Sequence, residues 1–439
     1  MDWCHSKIPS KGQKDNIGGD EVKGKVWIFH HYATPPERSG LTRPYDLGHE
    51  LKNYGYETTV FSSSYLHYSD EQLINTKNTV LEDNTGPVPF VYIKTSSYKN
   101  NGISRVKNLV DYFLNLIRYC RRQTGPDIII ASSPHLLTLL AGILIGKIHK
   151  VPCICEIRDL WPEAIFAVGK LRRDSFLGKM LLKCEHWIYK KAFALIFTKE
   201  GDITYLEDQG WLSTLKKRDV ERKKCFYINN GIDFTQYKED IRNNPYEDPD
   251  LSGDDFKVIY TGTLRKINNL ELIVDTAAIL KDESSIRFLI YGNGNMQQEL
   301  ERKVKELNLY NISFKGRIEK KYIPYVLSRA SVTLLHYSSQ LYNWSRGNSS
   351  NKLFEYMAAG KPVLSTVKMG YSPIKKYHCG LEVESPSAEH IAEAILKIKG
   401  LSKVERERLG KNAEDGARDF DYKELTKKLL EVFEYVRME

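Results

Sequence analysis

The chain has 439 residues, enough for two domains with cores of their own, and 41% of it is hydrophobic. Sixty-five Lys and Arg against 56 Asp and Glu leave a net charge of +9, which favours anionic partners without choosing among nucleotides, lipid surfaces and nucleic acid. Seven cysteines, an odd number with no Cys-x-x-Cys, argue against a disulfide framework or a zinc site, and no stretch reaches the ~20 apolar residues of a membrane span.

Residues 1–24 are rich in Lys, Gly, Asp and Ser and read as a disordered tail; they lack the pattern of a signal peptide, so the reducing cytoplasm is expected. Residues 26–29 form the first buried strand, which ends in His30-His31-Tyr32 and a loop holding Ser39-Gly40. A helix over about 45–54 and a strand over 57–61 follow, and the polar, turn-rich residues 65–90 read as an excursion from the sheet. Further strands are expected at 91–94, 127–131, 153–157, 194–198 and 225–228, with helices at about 103–122, 135–149, 173–191 and 200–208. Strands alternating with helices of this length mean βαβ units and a parallel sheet. Cys153 and Cys155 share one strand face as small buried hydrophobes.

The Asp-, Asn- and Pro-rich residues 240–255 break the pattern and predict a linker. The alternation then repeats, with strands at 257–261, 287–291, 312–315, 332–336 and 362–365. The last helix, 422–436, puts Tyr422, Leu425, Leu429, Val432, Phe433 and Val436 on one side. The expected architecture is α/β: domains at 25–240 and 241–417 with a cleft between their strand ends, and a closing segment, 418–439.

Residues 348–364, NSSNKLFEYMAAGKPVL, carry the densest chemistry. Ser349 and Ser350 suit a helix N-cap, Leu353 and Phe354 begin an apolar face, and Gly360 stops the helix. Such a start presents free N–H groups and the positive end of the helix dipole, which suits a phosphate. Glu355, one turn in, is placed to accept hydrogen bonds from sugar hydroxyls; a plain solvated helix is the alternative. Earlier, a strand runs into Gly262-Thr263-Leu264-Arg265-Lys266, where glycine admits a close ligand and two cations offer charge to it, unless this is only a basic turn. Gly292 and the Lys315-Gly316-Arg317-Ile318 phrase end two further strands.

These phrases resemble the donor site of retaining GT-B glycosyltransferases, specifically glycosyltransferase family 4. The resemblance implies two Rossmann-like domains facing a central cleft, with the C-terminal helix crossing back to the first domain. It implies that Glu355 holds the ribose of a nucleotide-sugar donor with Leu353 and Phe354 of the same phrase also at the donor, that Gly262, Thr263, Arg265, Lys266, Ser349 and Ser350 hold its diphosphate, and that Gly292, Arg317 and Ile318 lie beside the nucleotide. Gly40 matches the small-residue loop that faces the phosphates, with a plain turn as the alternative. The family usually has a second glutamate eight positions before Glu355; here that position is Gly347.

The phrase EIRDLWPE, residues 156–163, resembles a branch that transfers N-acetylated deoxyhexosamines such as N-acetylfucosamine. Arg158 stands where relatives often have His, and Asp159 is the candidate for orienting an acceptor. A structural ion pair of Arg158 with Glu156 or Asp159 is the competing reading. His135 faces the acceptor or caps a helix. The resemblance implies a UDP-sugar donor, no cofactor and no metal, and a polyprenyl-diphosphate-linked acceptor for O-antigen or capsule at the inner face of the cell membrane. Asp248-Pro249-Asp250 has metal-binding spacing but sits in the linker. The basic runs carry no nucleic-acid module and fit an anionic membrane surface better, with Phe166, Val168, Leu171, Phe176, Leu177, Met180 and Leu181 as the apolar partner, although core burial is the default reading of that stretch. Two other readings keep the fold: a sugar-nucleotide epimerase or phosphorylase, or a non-catalytic partner.

Overall fold

The computed structural model describes residues 22–439 except 39, 68, 100–101, 168, 214–218 and 339–343. The expected tail therefore lies almost wholly outside the described residues, as do Ser39 and Val168, and the first strand begins at Gly24.

Val-, Ile- and Phe-rich runs bounded by turn residues become eight strands in the first half: β1 Gly24–Phe29, β2 Tyr56–Ser63, β3 Val80–Asp83, β4 Phe90–Ile93, β5 Ile128–Ser132, β6 Cys153–Ile157, β7 Ala194–Phe197 and β8 Cys225–Tyr227. They lie in the order β8-β7-β6-β5-β1-β2-β4-β3. All neighbours are parallel except β3, which pairs antiparallel with β4, so part of the expected excursion over 65–90 is an edge strand. The second half forms β9 Phe256–Thr261, β10 Ile286–Tyr291, β11 Ile312–Gly316, β12 Val332–Leu335, β13 Val363–Ser365 and β14 Gly380–Glu382, ordered β11-β10-β9-β12-β13-β14 and parallel throughout. Strands buried on both faces need no alternation, which is why their sequences are continuously apolar.

Two corrections concern how the halves join. Residues 234–240 fall within the expected first domain, yet they belong to the helix Phe234–Asn243, whose Phe234 and Tyr237 pack in the second core with Leu353, Phe354 and Met357. The chain therefore crosses near Ile232, and the polar passage after residue 240 is part of the second domain. Its Asp248 and Asp250 close on Lys315 at 2.8 and 2.6 Å, and Tyr291 donates to Asp248 at 2.7 Å. That pairing satisfies the acidic spacing internally, and no metal cluster occurs among the described residues.

The closing helix, Tyr422–Met438, returns to the first sheet, where Leu425, Leu429, Val432, Phe433 and Val436 are buried with Val26, Ile28, Val60, Ile130 and Ile154. The two crossings meet: Ile232 donates to Phe420 O at 3.0 Å and Tyr422 donates to Ile232 O at 3.0 Å. A Cβ on Gly231 would run into Phe420 O, so this double crossing has glycine where the chains touch.

Candidate active site

The strand ends of the second sheet are zipped together by backbone. Gly262 N–H donates to Tyr291 O at 2.9 Å, Leu264 N–H to Asn293 O at 2.9 Å, and Gly292 N–H to Gly316 O at 2.7 Å. Gly262 and Gly292 take φ of +149° and +139°, and a Cβ on Gly292 would overlap Gly262 O. Glycine here permits loop-on-loop packing, so Gly292 acts on the site through the loop it supports.

The helix Asn351–Ala358 starts beside that loop. Ser350 is its N-cap in extended conformation, but its hydroxyl makes no cap bond and is buried without a partner, as is Asn348 Nδ2. Ser349 donates nothing that fixes it; its carbonyl accepts from Asn230 Nδ2 at 2.5 Å. The side chains of Leu353 and Phe354 are fully buried in the second core and anchor the helix, so they do not face the cleft as expected of ligand-contacting groups. Tyr356 points inward, with its hydroxyl accepting Thr261 N–H at 2.9 Å, and so pins the helix to the end of β9.

Glu355 faces a cavity of about 500 Å³ between the domains, lined also by Thr42, Tyr45 and Asp46 from the first domain and Lys320 from the second. Burial raises the Glu355 carboxyl above its ordinary value, against the pull of Lys320 and Lys352. Burial likewise pushes Asp46 up to about 6. Ile318 packs at the edge of the second core, while Arg317 is exposed at the strand end.

Arg265 and Lys266 are exposed and line a neighbouring pocket with Tyr337, Ser338 and Met296. Burial, then the Arg105 charge, depress the pKa of His67 in the first domain, and Arg265 adds a smaller push in the same direction. Thr263 is exposed, and its carbonyl accepts from Tyr260 OH at 3.2 Å. Gly40 packs on Thr34 beside the same cavity wall.

In the first domain the competing ion-pair reading for Arg158 fails. Glu156 is buried and pairs with Arg43 at 2.7 Å, while Arg43 also donates to Asn229 O at 2.5 Å and Ile228 O at 3.1 Å. Burial alone would raise the Glu156 carboxyl; the adjacent Arg43 guanidinium outweighs it and holds the group below its ordinary range. Asp159 is largely exposed and meets Lys199 at 3.6 Å. Arg158 is left near His30 Nε2 at 3.2 Å and Asn230 Oδ1 at 3.4 Å. His30 Nδ1 already accepts Tyr32 N–H at 3.1 Å, and a neutral imidazole has one acceptor, so His30 offers Arg158 little. Burial, then the Arg158 charge, keep His30 neutral by pushing its pKa well down. Among the described residues the Arg158 guanidinium thus makes no ion pair with a carboxylate. His135 is the buried N-cap residue of the helix Leu136–His149; its side chain makes no cap bond to the backbone and meets Thr138 Oγ1 at 3.3 Å.

Gly347, at the position of the family's first glutamate, has φ +106° and lies against Lys199 and Glu200 of the first domain. Next to it, Arg346 O accepts Gly201 N–H at 3.0 Å and the Arg346 side chain meets Asp208 at 2.5 Å. This loop therefore joins the domains, in a backbone conformation that disfavours any side chain at 347.

Sequence reasoning passed over Arg43, Lys320, Arg346 and Lys352. Lys352 sits one position inside the helix, and its ammonium donates to Tyr260 OH at 2.9 Å over the faces of Tyr260 and Tyr337. A Cβ on Gly262 would overlap its Nζ.

Comparison with known proteins fits this layout. Residues 41–214 match the family model of the glycosyl transferase 4-like domain, and residues 244–416 match that of glycosyl transferases group 1. A probable glycosyltransferase, WbjE of Pseudomonas aeruginosa, is 20% identical over 62% of this chain and 66% of its own length. An N-acetylgalactosamine-N,N'-diacetylbacillosaminyl-diphospho-undecaprenol 4-alpha-N-acetylgalactosaminyltransferase of Campylobacter jejuni is 25% identical over 50% of this chain and 53% of its own length. The alignments thus span between about half and just under two thirds of those relatives. Among solved structures, sucrose-phosphate synthase of Thermosynechococcus elongatus superposes with TM-score 0.68 at 17% identity, covering 95% of this chain and 100% of that one. Anabaena HepE in complex with UDP and glucose gives 0.64 at 14% identity, covering 94% and 99%. With both halves matched in order and the two-sheet architecture in place, the chain belongs to the GT-B glycosyltransferases that these two family models describe.

Proposed function

We propose that the protein is a retaining, metal-independent glycosyltransferase of surface-polysaccharide synthesis. It moves a sugar, an N-acetylated deoxyhexosamine on the branch resemblance, from a UDP-sugar to a lipid-diphosphate-linked saccharide. The observation that carries the reading is Glu355 on an interdomain cavity, one turn from a helix start with unpartnered polar groups. The UDP in HepE and the diphospho-undecaprenol acceptor in the name of the Campylobacter relative point to the same substrate classes.

In this reading Glu355 accepts hydrogen bonds from the ribose hydroxyls, and Gly292, Arg317 and Ile318 lie beside the base. The bond between the sugar's anomeric carbon and the diphosphate breaks, its electron pair leaving on the phosphate oxygen. The acceptor hydroxyl forms the new bond on the same face and gives its proton to the departing phosphate. No protein nucleophile takes part. Arg265, Lys266 and Arg158 stabilise the developing charge from both walls of a closed cleft, and Asp159 orients the acceptor. The first domain meets the membrane that holds the acceptor.

The test is differential scanning calorimetry with UDP, GDP, ADP and NAD on wild type and Glu355→Ala, followed by UDP-sugars with a synthetic polyprenyl-diphosphate saccharide. UDP at 100 times its Kd should stabilise its domain by about 2.7 kcal/mol, and Glu355→Ala should lose most of that shift. Nuclear magnetic resonance of the product's anomeric proton then reads retention. A wild type that responds to no nucleotide overturns the reading, and binding of UDP without turnover of any donor favours the non-catalytic partner.

A further inference from the structure

The donor loop holds a cation that the family pattern does not mark. Lys352 Nζ touches the backbone at Gly262, where only the absence of a Cβ lets it fit. It is only partly exposed, and among the described residues it makes no ion pair; its ammonium meets one phenol oxygen and two ring faces. At the start of the same helix two buried donors have no partner among the described residues, Ser350 Oγ and Asn348 Nδ2. Two such unsatisfied donors are costly unless a ligand with acceptor oxygens completes them.

We propose that Lys352 is the principal protein cation for the donor diphosphate, swinging from Tyr260 OH onto phosphate oxygens, with Ser350 Oγ and Asn348 Nδ2 completing the cradle. This rests on the nucleotide-donor reading above. It also explains why Arg265 and Lys266 stand exposed: they border the phosphates, whereas Lys352 is in the wall. The titratable and charged groups that face Lys352 are Glu355 on its own helix, Tyr260 in β9, and His336 and Tyr337 after β12. Burial pushes the free Lys352 ammonium down to about 7, against the pull of Glu355. Burial, more than the Lys352 charge, holds His336 down at about 4, so that imidazole stays neutral. A bound diphosphate would raise Lys352 again, so donor binding above pH 7 takes up a proton at Nζ.

Isothermal titration calorimetry at pH 8, in two buffers of different ionisation enthalpy, tests this with uridine and UDP. Wild type should bind UDP more tightly than uridine and take up close to one proton per UDP. Lys352→Met should bind UDP on the order of thirtyfold more weakly, bind uridine unchanged and take up no proton. If Lys352→Met does not fold, Lys352→Arg decides: it should keep UDP affinity and lose the proton uptake, because its charge is permanent. UDP affinity unchanged in Lys352→Met, or proton uptake persisting in either variant, overturns the proposal while leaving the nucleotide reading intact. Equal binding of UDP and uridine by wild type does the same. A wild type that binds neither overturns both.

Discussion

Single residues divide the site into what is held and what is kept open. Arg43 and Glu156 are held: a buried bidentate pair, further satisfied by Ser132 and two carbonyls, ties the first helix to β6 and the end of β8. Removing one member leaves the other charged and buried, so Arg43→Met should cost about 3–5 kcal/mol in chemical denaturation of the first domain. Because the folded Glu156 carboxyl sits below its ordinary value of 4.5, the pair's contribution is complete above that pH and lost as pH falls below it. The difference in midpoint between wild type and Arg43→Met should therefore shrink below pH 4.5; a constant difference down to pH 3 would sink the assignment. Arg158, two residues from Glu156, is kept open, and its sequence neighbours gave no hint of which cation would take the buried carboxylate. Arg43 lies 113 positions away in the chain, beyond any local pattern.

At the scale of elements, the strands and crossover helices were legible because burial on both faces writes long apolar runs. The loops were legible only where glycine or an N-cap marks them. Lys352 was not, because a lysine in the first turn of a helix reads as solvated, and only Tyr260 and Tyr337, 92 and 15 positions off, enclose it. The 27 tyrosines, unexplained by composition, are in part such tethers. Tyr112 donates to Phe61 O at 2.8 Å, Tyr189 and Tyr205 to buried Glu185 at 2.7 and 2.6 Å, and Tyr291 to Asp248. Each buries a ring and returns a hydrogen bond, within its own helix for Tyr189 and to an element remote in sequence for the other three.

The helix Phe176–Lys191 shows the opposite bias. Its apolar positions read as core by default, yet Phe176 is 87% exposed, with Leu177, Met180 and Trp187 exposed alongside Lys179, Lys183, Lys190 and Lys191. The helix Ile103–Cys120 likewise exposes Ile103, Val106, Val110 and Leu114. No helix among the described residues is long and apolar enough to cross a membrane. A basic surface with apolar side chains standing out of it suits an anionic bilayer. Wild type should sediment with phosphatidylglycerol vesicles at low salt, and Phe176→Ser/Met180→Ser should reduce the bound fraction several-fold with the melting temperature unchanged. Equal sedimentation of both proteins would remove this helix as the contact.

Across the whole molecule, the two domains are joined by covalent crossings at Ile232 and Asp421 and by a docked loop. Arg346 bridges to Asp208 and Gly201, and Asn229 and Asn230 donate to Asn348 O and Ser349 O. The missing glutamate at 347 and the domain contact at 346 are thus one feature, which the sequence displayed only as an absence. The closing helix is part of the first core, and each of its five fully buried apolar side chains contributes roughly 1.5–3 kcal/mol. Together they rival the ~5–15 kcal/mol by which a domain is stable, so deletion of residues 420–439 should leave the first domain unable to fold. Soluble, cooperatively melting protein from that deletion would contradict the packing described.

That helix also sets a schedule for biosynthesis. The last strand of the first sheet ends at Tyr227, but the residues that cover one side of β1, β2, β5 and β6 follow the whole second domain in the chain. At ~5–20 residues per second, the ribosome leaves that apolar surface bare for roughly 10–40 s while the whole second domain is synthesised. A nascent first domain is therefore completed only when the closing helix emerges and docks on its sheet.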